Sequence, residues 1–417
     1  MSENRWGGSA VQRNINCAGG QPKPRLLVVP HIFANDIRVR EIELARRLTR
    51  WFDVYCLAWK DALHVDLSSP VRRRWVQFRN SLHSLVSRRT IKQEPDGISY
   101  VTAPMLQPVL LNRLLGARRA CAAAQAFNSP SLAKTIRCLR ISHVLLACGA
   151  FRPPRVFGVK VFHDFVDWIL TETVPGGLGW HSESICRIGE EASAVFAASE
   201  PLAEMFRSSF GLKAIPLPNG ADVERLRSVP EAEVEAVRRR WGLTGKLVLG
   251  YIGNHGSFSG LDFALRAFQE VRKRIPNAAL FVVGPCDYWK QVANDFSEDG
   301  VIFTGPVAPR EIDAYFHALD VGILAQPKTP GSDYAFQLKV VEYSACRKFV
   351  VSTPLLVWER IGWPNVMLIE ASPVEWADAI VKLRDARWSP EWDHLIDQYG
   401  WVAVAERAAG VMLGDVP

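Results

Sequence analysis

The sequence lacks several patterns that would assign it to a specialised class of protein. Its eight cysteines are scattered and include no C-x-x-C pair, so neither a zinc site nor a disulfide framework is indicated. It contains no run of about 18 apolar residues, so we expect no membrane-spanning helix. The polar N-terminus has no apolar core of a signal peptide. Together these absences favour a protein of the reducing cytoplasm.

The composition is that of an ordinary globular α/β protein. The chain has 417 residues, of which 48% are hydrophobic and 22% are charged. Since a domain usually takes about 100–200 residues, we expect two or three domains. The histidines show no spacing that suits a metal ion. The sequence therefore requires neither a divalent metal nor a tightly bound cofactor.

Positive charge is concentrated in one stretch, residues 71–120. Ten Lys or Arg residues occur there against two acidic residues, so this stretch carries +8 while the whole chain carries +7. Apolar residues are interleaved with the charges at roughly helical spacing, namely Trp75, Phe78, Leu82, Leu85 and Val86. A basic amphipathic stretch of this kind suits an anionic membrane surface. The alternative is a solvated helix face whose apolar stripe packs on its own domain, and no nucleic-acid-binding motif accompanies the charge.

Short apolar strands alternate with helical segments in the first half of the chain. The candidate strands are Arg25–Phe33, Asp53–Leu57, Ser142–Cys148 and Val159–Phe162. The segment Ile37–Arg50 has helical periodicity. Such alternation predicts a parallel sheet with helices on both faces. A second alternating unit begins at Lys246, after a highly charged run that we interpret as an inter-domain connection.

The segment Asp320–Pro354 carries the most specific pattern. An apolar strand leads through a loop rich in Pro and Gly to a helix with Lys339 and Glu342 on one face, because residues three apart align. Both lie near the helix start, where free N–H groups and the helix dipole attract anions. The pair suits a nucleotide sugar, with the lysine on the diphosphate and the carboxylate on the ribose hydroxyls. An i,i+3 salt bridge on a solvated helix explains the pair equally well.

Further stretches follow in a recognisable order. They are the strand Val195–Glu200, the turn Leu217–Val223, the strand and glycine-rich loop Lys246–Asp262, and the glycine-ended strands Ala279–Pro285 and Val301–Pro306. In order and spacing these stretches resemble the nucleotide-binding half of GT-B-fold glycosyltransferases, in particular glycosyltransferase family 4. The resemblance covers residues 160–390 of the chain.

The resemblance implies an α/β chain with the GT-B fold, in which two doubly wound Rossmann-like domains face a central cleft for donor and acceptor. We predict a disordered tail over residues 1–24 and an acceptor-binding domain over 25–225. A nucleotide-sugar-binding domain is predicted over 226–390. The last segment, 391–417, is predicted to form a helix that crosses back to the first domain.

By this resemblance the loop Gly253–Gly260 binds phosphate, with Gly253 and Asn254 in contact with the donor. The commonest family pattern has an arginine just after the first glycine and a lysine just before the last. Asn254 and Ser259 stand at those positions here. A diphosphate still needs positive charge, so we predict that Lys339 supplies it, with Lys328 as the second candidate.

The family usually carries two glutamates separated by seven residues, and Glu342 matches the second of them. Tyr334 stands in place of the first, beside Asp333. Because the first glutamate normally contacts the transferred sugar, its replacement leaves the sugar and the stereochemistry open. We expect Tyr334 to contact the base or the sugar, and the alternative is a loop tyrosine packed on its own domain.

The run Leu338-Lys339-x-x-Glu342-Tyr343 is more similar to a divergent subgroup of exopolysaccharide enzymes, such as the xanthan glucuronosyltransferase. That resemblance implies a donor contact for Leu338 as well. It also implies that backbone groups near Val307 read the nucleobase, which is usually uracil in this subgroup.

In the first domain, three polar residues follow the strand Val159–Phe162, namely His163, Asp164 and Asp167. An inverting transferase needs a general base near the acceptor hydroxyl, and we predict Asp164 for that role. Retaining relatives use a histidine at this point to contact the sugar, so His163 is the candidate if the enzyme retains. Asp164 or Asp167 could equally cap the next helix.

We therefore predict a glycosyltransferase for hexosyl or glucuronosyl transfer, with a UDP-sugar donor and a lipid-linked or polysaccharide acceptor. Asn35 and Asp36, at the end of the first strand, are candidate acceptor contacts, although Asp36 could be a helix cap. We expect peripheral attachment to the inner face of the plasma membrane through residues 71–120, and no nucleic-acid partner. Two alternatives stay open: a UDP-sugar epimerase of the same fold, and a binding or scaffold protein with a degenerate site.

Overall fold

A computed structural model gives the three-dimensional structure of the protein. It describes residues 4–5, 22–30, 40–58, 88–106, 109–147, 156–166, 187–286 and 299–414, together with Ile185 and six positions between 75 and 86. The chain divides into two compact units. The first comprises Met1–Leu217 and Ala405–Pro417, and the second comprises Pro218–Val404.

The first unit is built on a sheet of nine described strands. They are β1 (Asn4–Arg5), β2 (Arg25–Val29), β3 (Asp53–Leu57), β4 (Thr90–Gln93), β5 (Ser99–Thr102), β6 (His143–Leu146), β7 (Lys160–Phe165), β8 (Ala194–Ala197) and β9 (Ala214–Pro216). Their order is β1-β4-β5-β3-β2-β6-β7-β8-β9. All neighbours from β5 to β9 are parallel, whereas β4 is antiparallel to both of its neighbours. Strands are added in both directions from β2, as in a doubly wound sheet.

Helices α1 (Arg40–Leu48), α2 (Val109–Leu139) and α3 (Glu200–Phe210) accompany this sheet. The second half of α2 packs on β2 and β6 through Leu132 and Ile136. After Arg25, strand β2 is an apolar and fully buried run, as expected for a parallel strand that is covered on both faces. Helix α3 begins where the Ser199 side chain accepts a hydrogen bond from Leu202 N, and it ends at Gly211 in the left-handed conformation.

The second unit contains a fully parallel sheet of six described strands. They are β10 (Val248–Ile252), β11 (Ala279–Val283), β12 (Val301–Phe303), β13 (Val321–Leu324), β14 (Phe349–Ser352) and β15 (Val366–Leu368). The order β12-β11-β10-β13-β14-β15 reverses direction between β10 and β13. In open α/β sheets, ligands bind at the carboxyl ends of the strands at such a reversal.

The described residues after Leu217 form ten α-helices. They are α4 (Val223–Arg227), α5 (Glu231–Arg240), α6 (Leu261–Arg274), α7 (Ile312–Ala318), α8 (Pro330–Tyr334), α9 (Leu338–Ala345), α10 (Leu356–Ile361), α11 (Pro373–Leu383), α12 (Trp392–Asp397) and α13 (Trp401–Leu413). The apolar faces of α6 and α11 meet over the sheet, where Phe268, Val271, Trp376 and Ile380 form part of one buried cluster. This packing fixes the start of α6 beside the end of β10.

The observed division of the chain differs in part from the predicted domain limits. The division falls at Leu217, before the predicted limit at 225, and the charged run interpreted as a connection forms α4 and α5 of the second unit. Residues 405–417 belong to the first unit. Within the predicted tail 1–24, Asn4–Arg5 pairs with β4. Over the residues that the structure describes, no helix is long and apolar enough to cross a membrane.

Candidate functional site

The predicted phosphate loop follows β10 and leads into α6. Gly260 has a φ of +72° and is the residue that precedes α6. A Cβ atom at this position would lie 1.9 Å from the carbonyl oxygen of Ala325, so only glycine permits this contact. The contact brings the loop against the segment that follows β13. The first N–H groups of α6, which have no partner within the helix, therefore lie at the reversal point of the sheet.

Two more glycines allow the loops after β10 and β11 to touch. Gly253 and Gly284 have φ angles of +138° and +120°. A Cβ on Gly284 would lie 2.0 Å from the carbonyl oxygen of Gly253, so the two backbones are in direct contact. Gly284 also forms an isolated bridge with Gly305, after β12. Three neighbouring strand ends thus present backbone rather than side chains, as an anion-binding surface requires.

Tyr343 holds α9 in place beside this loop. Its hydroxyl accepts a hydrogen bond from Ile252 N (3.0 Å) and donates one to the Gly250 carbonyl (3.1 Å). Its ring passes over Gly322, where a Cβ would lie 2.7 Å from the ring. Strand β10 pairs with β13 through Leu249 and Gly250. At the end of that pairing, the Tyr343 hydroxyl supplies hydrogen bonds to β10 instead. The first turn of α9 is thereby fixed against the end of β10.

Lys339, in that first turn, faces the loop. Its Nζ lies 3.0 Å from the position of a Cβ on Gly253 and 5.0 Å from the ring centroid of Tyr251. Desolvation lowers the pKa of Lys339 to about 8, although the Glu342 carboxylate acts in the opposite direction. The lysine therefore carries most of its charge at neutral pH, in a place where water competes weakly for it.

The side chains of Lys328 and Asp333 form contacts with other parts of the second unit. Lys328 Nζ donates to the Pro354 carbonyl (2.8 Å) and lies 3.6 Å from the Glu359 carboxylate. Asp333 accepts a hydrogen bond from Leu356 N (3.0 Å), at the start of α10, so it serves that helix end. The second candidate for the diphosphate cation is thus already engaged, and Lys339 is the better placed of the two.

The remaining predicted donor contacts lie at the same edge of the second sheet. Asn254 follows β10 and is exposed, and Val307 lies in the loop after β12. Tyr334 is the last residue of α8, Leu338 begins α9, and Glu342 lies one turn further along. All of these except Asn254 are half-buried. Their individual roles toward a donor stay predictions.

Two residues of this region were not predicted from the sequence. Tyr251 is fully buried in β10 and donates its hydroxyl hydrogen bond to the Ser259 carbonyl. His255 packs edge-on against it, with centroids 4.7 Å apart, and its Nε2 lies 3.1 Å from the Val283 carbonyl. Burial lowers the pKa of His255 to about 4, and the Lys339 charge adds to that effect. Spacing gave no signal for these residues, because a tyrosine in a buried strand usually belongs to the core.

In the first unit, His163 and Asp164 lie inside β7, not after it as predicted. His163 is 1% exposed, and neither ring nitrogen has a hydrogen-bond partner in the part of the chain that the structure describes. Desolvation lowers the pKa of His163 to about 3, so the imidazole is neutral. Burying an imidazole without hydrogen-bond partners costs free energy of folding. A bound ligand hydroxyl could supply a partner, so His163 remains a candidate ligand contact.

Asp164 points to the opposite face of β7 and forms a buried ion pair with Arg40 of α1. Arg40 Nε and Nη2 lie 2.8 and 2.9 Å from the two carboxylate oxygens, and Nη2 also donates to the Leu217 carbonyl. The aspartate is 2% exposed. Both carboxylate oxygens are thus held by the guanidinium, and the role of Asp164 as a general base stays a prediction.

Asn35, Asp36 and Asp167, also considered above, lie outside the described residues. Among the residues that are described, no group of three or more His, Cys, Asp or Glu side chains could hold a metal ion.

Comparison with known families gives one match. Residues 246–385 match the family described as Glycosyl transferases group 1. This segment contains the glycine loop, Lys339 and Glu342. This part of the second unit is therefore similar to that family. The similarity to the xanthan subgroup stays a prediction.

One relative is named as a GDP-mannose-dependent alpha-(1-6)-phosphatidylinositol monomannoside mannosyltransferase of Mycolicibacterium smegmatis. It is 30% identical over 235 residues, which cover 53% of this chain and 59% of that protein. The chain thus aligns with less than two thirds of this relative. Its name describes a glycosyltransferase and lends no support to the epimerase alternative.

Solved structures share the fold over nearly the whole chain. Anabaena Alr3699/HepE, crystallised with UDP, has a TM-score of 0.63 at 14% identity and covers 94% of this chain and 100% of its own. A UDP-forming alpha,alpha-trehalose-phosphate synthase from Burkholderia xenovorans has a TM-score of 0.67 at 12% identity, covering 94% and 99%. The predicted α/β GT-B fold, with two Rossmann-like domains built on mainly parallel sheets, is thereby confirmed.

The Arg40–Asp164 pair leads to a prediction about stability. Removing one partner of a buried ion pair leaves an uncompensated charge and costs about 3–5 kcal/mol. We expect Asp164→Asn to lower the melting temperature by several degrees, measured by differential scanning calorimetry. Glu235→Gln serves as the control, since Glu235 forms an exposed pair with Arg239 at 3.7 Å and should change stability by less than about 1 kcal/mol. An Asp164→Asn protein with unchanged stability but no catalytic activity would instead support the aspartate as a base.

Proposed function

We propose that the protein is a glycosyltransferase that moves a sugar from a nucleoside-diphosphate donor to a lipid-linked or polysaccharide acceptor, in the synthesis of an exopolysaccharide or cell-surface glycan. The observation that carries the proposal is the position of Lys339 against the glycine loop at the reversal point of the second sheet. The family match over residues 246–385 supports it, because it covers this same arrangement.

The chemistry of the donor site follows from its charges. A leaving nucleoside diphosphate gains negative charge as the bond to the sugar breaks, so a cation and free N–H groups beside the diphosphate stabilise the transition state. Lys339 and the start of α6 supply these two elements. Since the loop itself carries no Lys or Arg from Gly253 to Gly260, most of the compensation depends on Lys339.

For the other donor contacts we propose the assignments that the sequence suggested. Glu342 binds the ribose hydroxyls, and backbone groups near Val307 read the nucleobase. Gly253, Asn254 and Leu338 contact the diphosphate region. UDP is the first candidate nucleotide, supported by the UDP bound in Anabaena Alr3699/HepE. GDP is the alternative, because the mycobacterial relative is GDP-mannose-dependent.

In the first unit we propose His163 as a sugar contact, which fits a retaining reaction. The support is its burial together with two ring nitrogens that lack partners among the described residues. Its low pKa keeps the ring neutral, so it can act as a hydrogen-bond donor or acceptor toward a hydroxyl without repelling or attracting charge.

For the acceptor side we propose contact with an anionic membrane through residues 71–120. Within this stretch the helical residues Trp75, Leu82 and Val86 are 68%, 44% and 75% exposed. Their spacings of seven and four along the sequence match helical periodicity, and the stretch 71–120 contains ten Lys or Arg residues. An exposed apolar face with surrounding positive charge suits an interface with anionic lipid, where each basic residue contributes about 1 kcal/mol.

The donor proposal predicts a selective thermal shift. Titration with UDP, GDP, ADP and their sugars should raise the melting temperature for one nucleotide class, as mass action requires. Lys339→Ala should weaken that binding by about 10- to 100-fold, because it removes a charge-assisted contact of about 1.5–3 kcal/mol. Lys328→Ala is the matched control on the same side of the sheet and should bind as the wild type does. A flat response to every nucleotide at millimolar concentration would instead favour the scaffold alternative.

The lowered pKa of Lys339 predicts a pH dependence. Lysine is charged below its pKa and neutral above it, so diphosphate binding should weaken as the pH rises through about 8. Between pH 7 and pH 9 we expect a loss of about tenfold in affinity, measured by isothermal titration calorimetry. Lys339→Arg stays charged throughout and should lose the dependence even if its affinity differs. An equally steep loss in the arginine variant would assign the effect to another group.

The membrane proposal predicts binding to vesicles that contain phosphatidylserine, which decreases at high salt. Replacing Trp75 and Val86 together by serine should reduce co-sedimentation with these vesicles several-fold. Phe127→Ser provides the control, since Phe127 is 41% exposed but lies outside the basic stretch. Equal binding to neutral phosphatidylcholine vesicles, or no binding at low salt, would contradict the proposal.

A further inference from the structure

We propose that Tyr251 is a positioning residue, which holds the Lys339 ammonium toward the diphosphate with its ring and anchors the glycine loop with its hydroxyl. This inference rests on the proposed donor site. It adds a residue that carries no charge and does not itself touch the donor. The position of the ammonium matters because the glycine loop carries no Lys or Arg, so most of the compensation of the diphosphate charge depends on Lys339.

The first observation is the contact between the ring and the ammonium. Lys339 Nζ lies 5.0 Å from the centroid of the Tyr251 ring, within the range of a cation–π interaction. A lysine side chain is flexible and normally keeps its ammonium in water. Here the ring gives the desolvated cation a favourable neighbour and a defined direction, toward Gly253.

The second observation is the hydroxyl at the other end of the same ring. Tyr251 donates a hydrogen bond to the Ser259 carbonyl, the residue immediately before Gly260 and α6. The loop between Gly253 and Gly260 is thus tied back to the strand from which it started. One side chain, fully buried and unable to change its position freely, therefore relates the cation to the start of α6.

The groups that face Lys339 leave it as the group that titrates near pH 8. Glu342, on its own helix, raises its pKa, and His255, from the loop, has a pKa of about 4 and stays neutral. Burial raises the pKa values of Tyr251 and Tyr343 above the ordinary value for a phenol. A change in the alkaline limb of donor binding therefore reports on the surroundings of the lysine.

Two substitutions separate the two tasks of Tyr251. Tyr251→Leu removes the ring, so the midpoint of the alkaline limb should fall by about one pH unit, and donor affinity at pH 7.5 should fall roughly three- to tenfold. Tyr251→Phe keeps the ring and loses only the hydrogen bond to the loop, so its midpoint should match that of the wild type. A packing role alone would lower the stability of both variants without moving the midpoint.

The measurement is the donor dissociation constant between pH 6.5 and pH 9.5 for wild type, both Tyr251 variants and Lys339→Ala. An unchanged midpoint in a folded Tyr251→Leu protein would overturn the inference while leaving the donor site intact. If Lys339→Ala binds as tightly as the wild type, the proposed donor site itself is wrong.

An NMR measurement on the wild type covers the case in which Tyr251→Leu does not fold. The ε-methylene protons of Lys339, assigned by comparison with Lys339→Arg, should be shifted upfield by the ring current of Tyr251. Shifts at the ordinary lysine position would show that the ammonium does not lie over the ring, and the inference would fail.

Discussion

The hydroxyl of Tyr343 is the contact on which the candidate site depends. It bonds to two backbone groups of β10, from Gly250 and Ile252, at the point where β10 and β13 separate. A helix that starts after β13 is thereby fixed to a different strand. Gly322 is necessary for this arrangement, since any side chain there would meet the tyrosine ring. The direction of Lys339 follows from this contact, because it lies one turn before Tyr343 on the same helix.

The glycine loop carries no Lys or Arg, so the positive charge at the site comes mainly from one desolvated lysine, Lys339. A lysine removed from water binds an anion more strongly than an exposed one, but it also loses its proton more readily. The neutral rings of Tyr251 and His255 occupy the space beside it. They exclude water without adding a competing charge, which is consistent with the pKa of about 8 that Lys339 retains.

In the first unit, two adjacent residues of β7 have different surroundings because side chains alternate across a strand. Asp164 meets Arg40 of α1 on one face. His163 lies on the other face, near Phe165, where its ring nitrogens find no partner among the described residues. The carboxylate that was predicted as a general base is thus held by a guanidinium. The histidine beside it keeps its candidate role.

The sequence by itself determined the α/β class, the strand β3 to the residue, the glycine loop, and the placement of Lys339 and Glu342 on one helix face. These features are local, since they depend on apolar periodicity, glycine and helical spacing. The tertiary structure alone decided that Asp164 pairs with Arg40, 124 positions away, and that Lys328 and Asp333 serve other contacts. It also decided that Tyr251 lies under the lysine. The physical reason is that such contacts depend on which strands and helices the sheet order places next to one another. That order cannot be predicted from the spacing of residues along the chain.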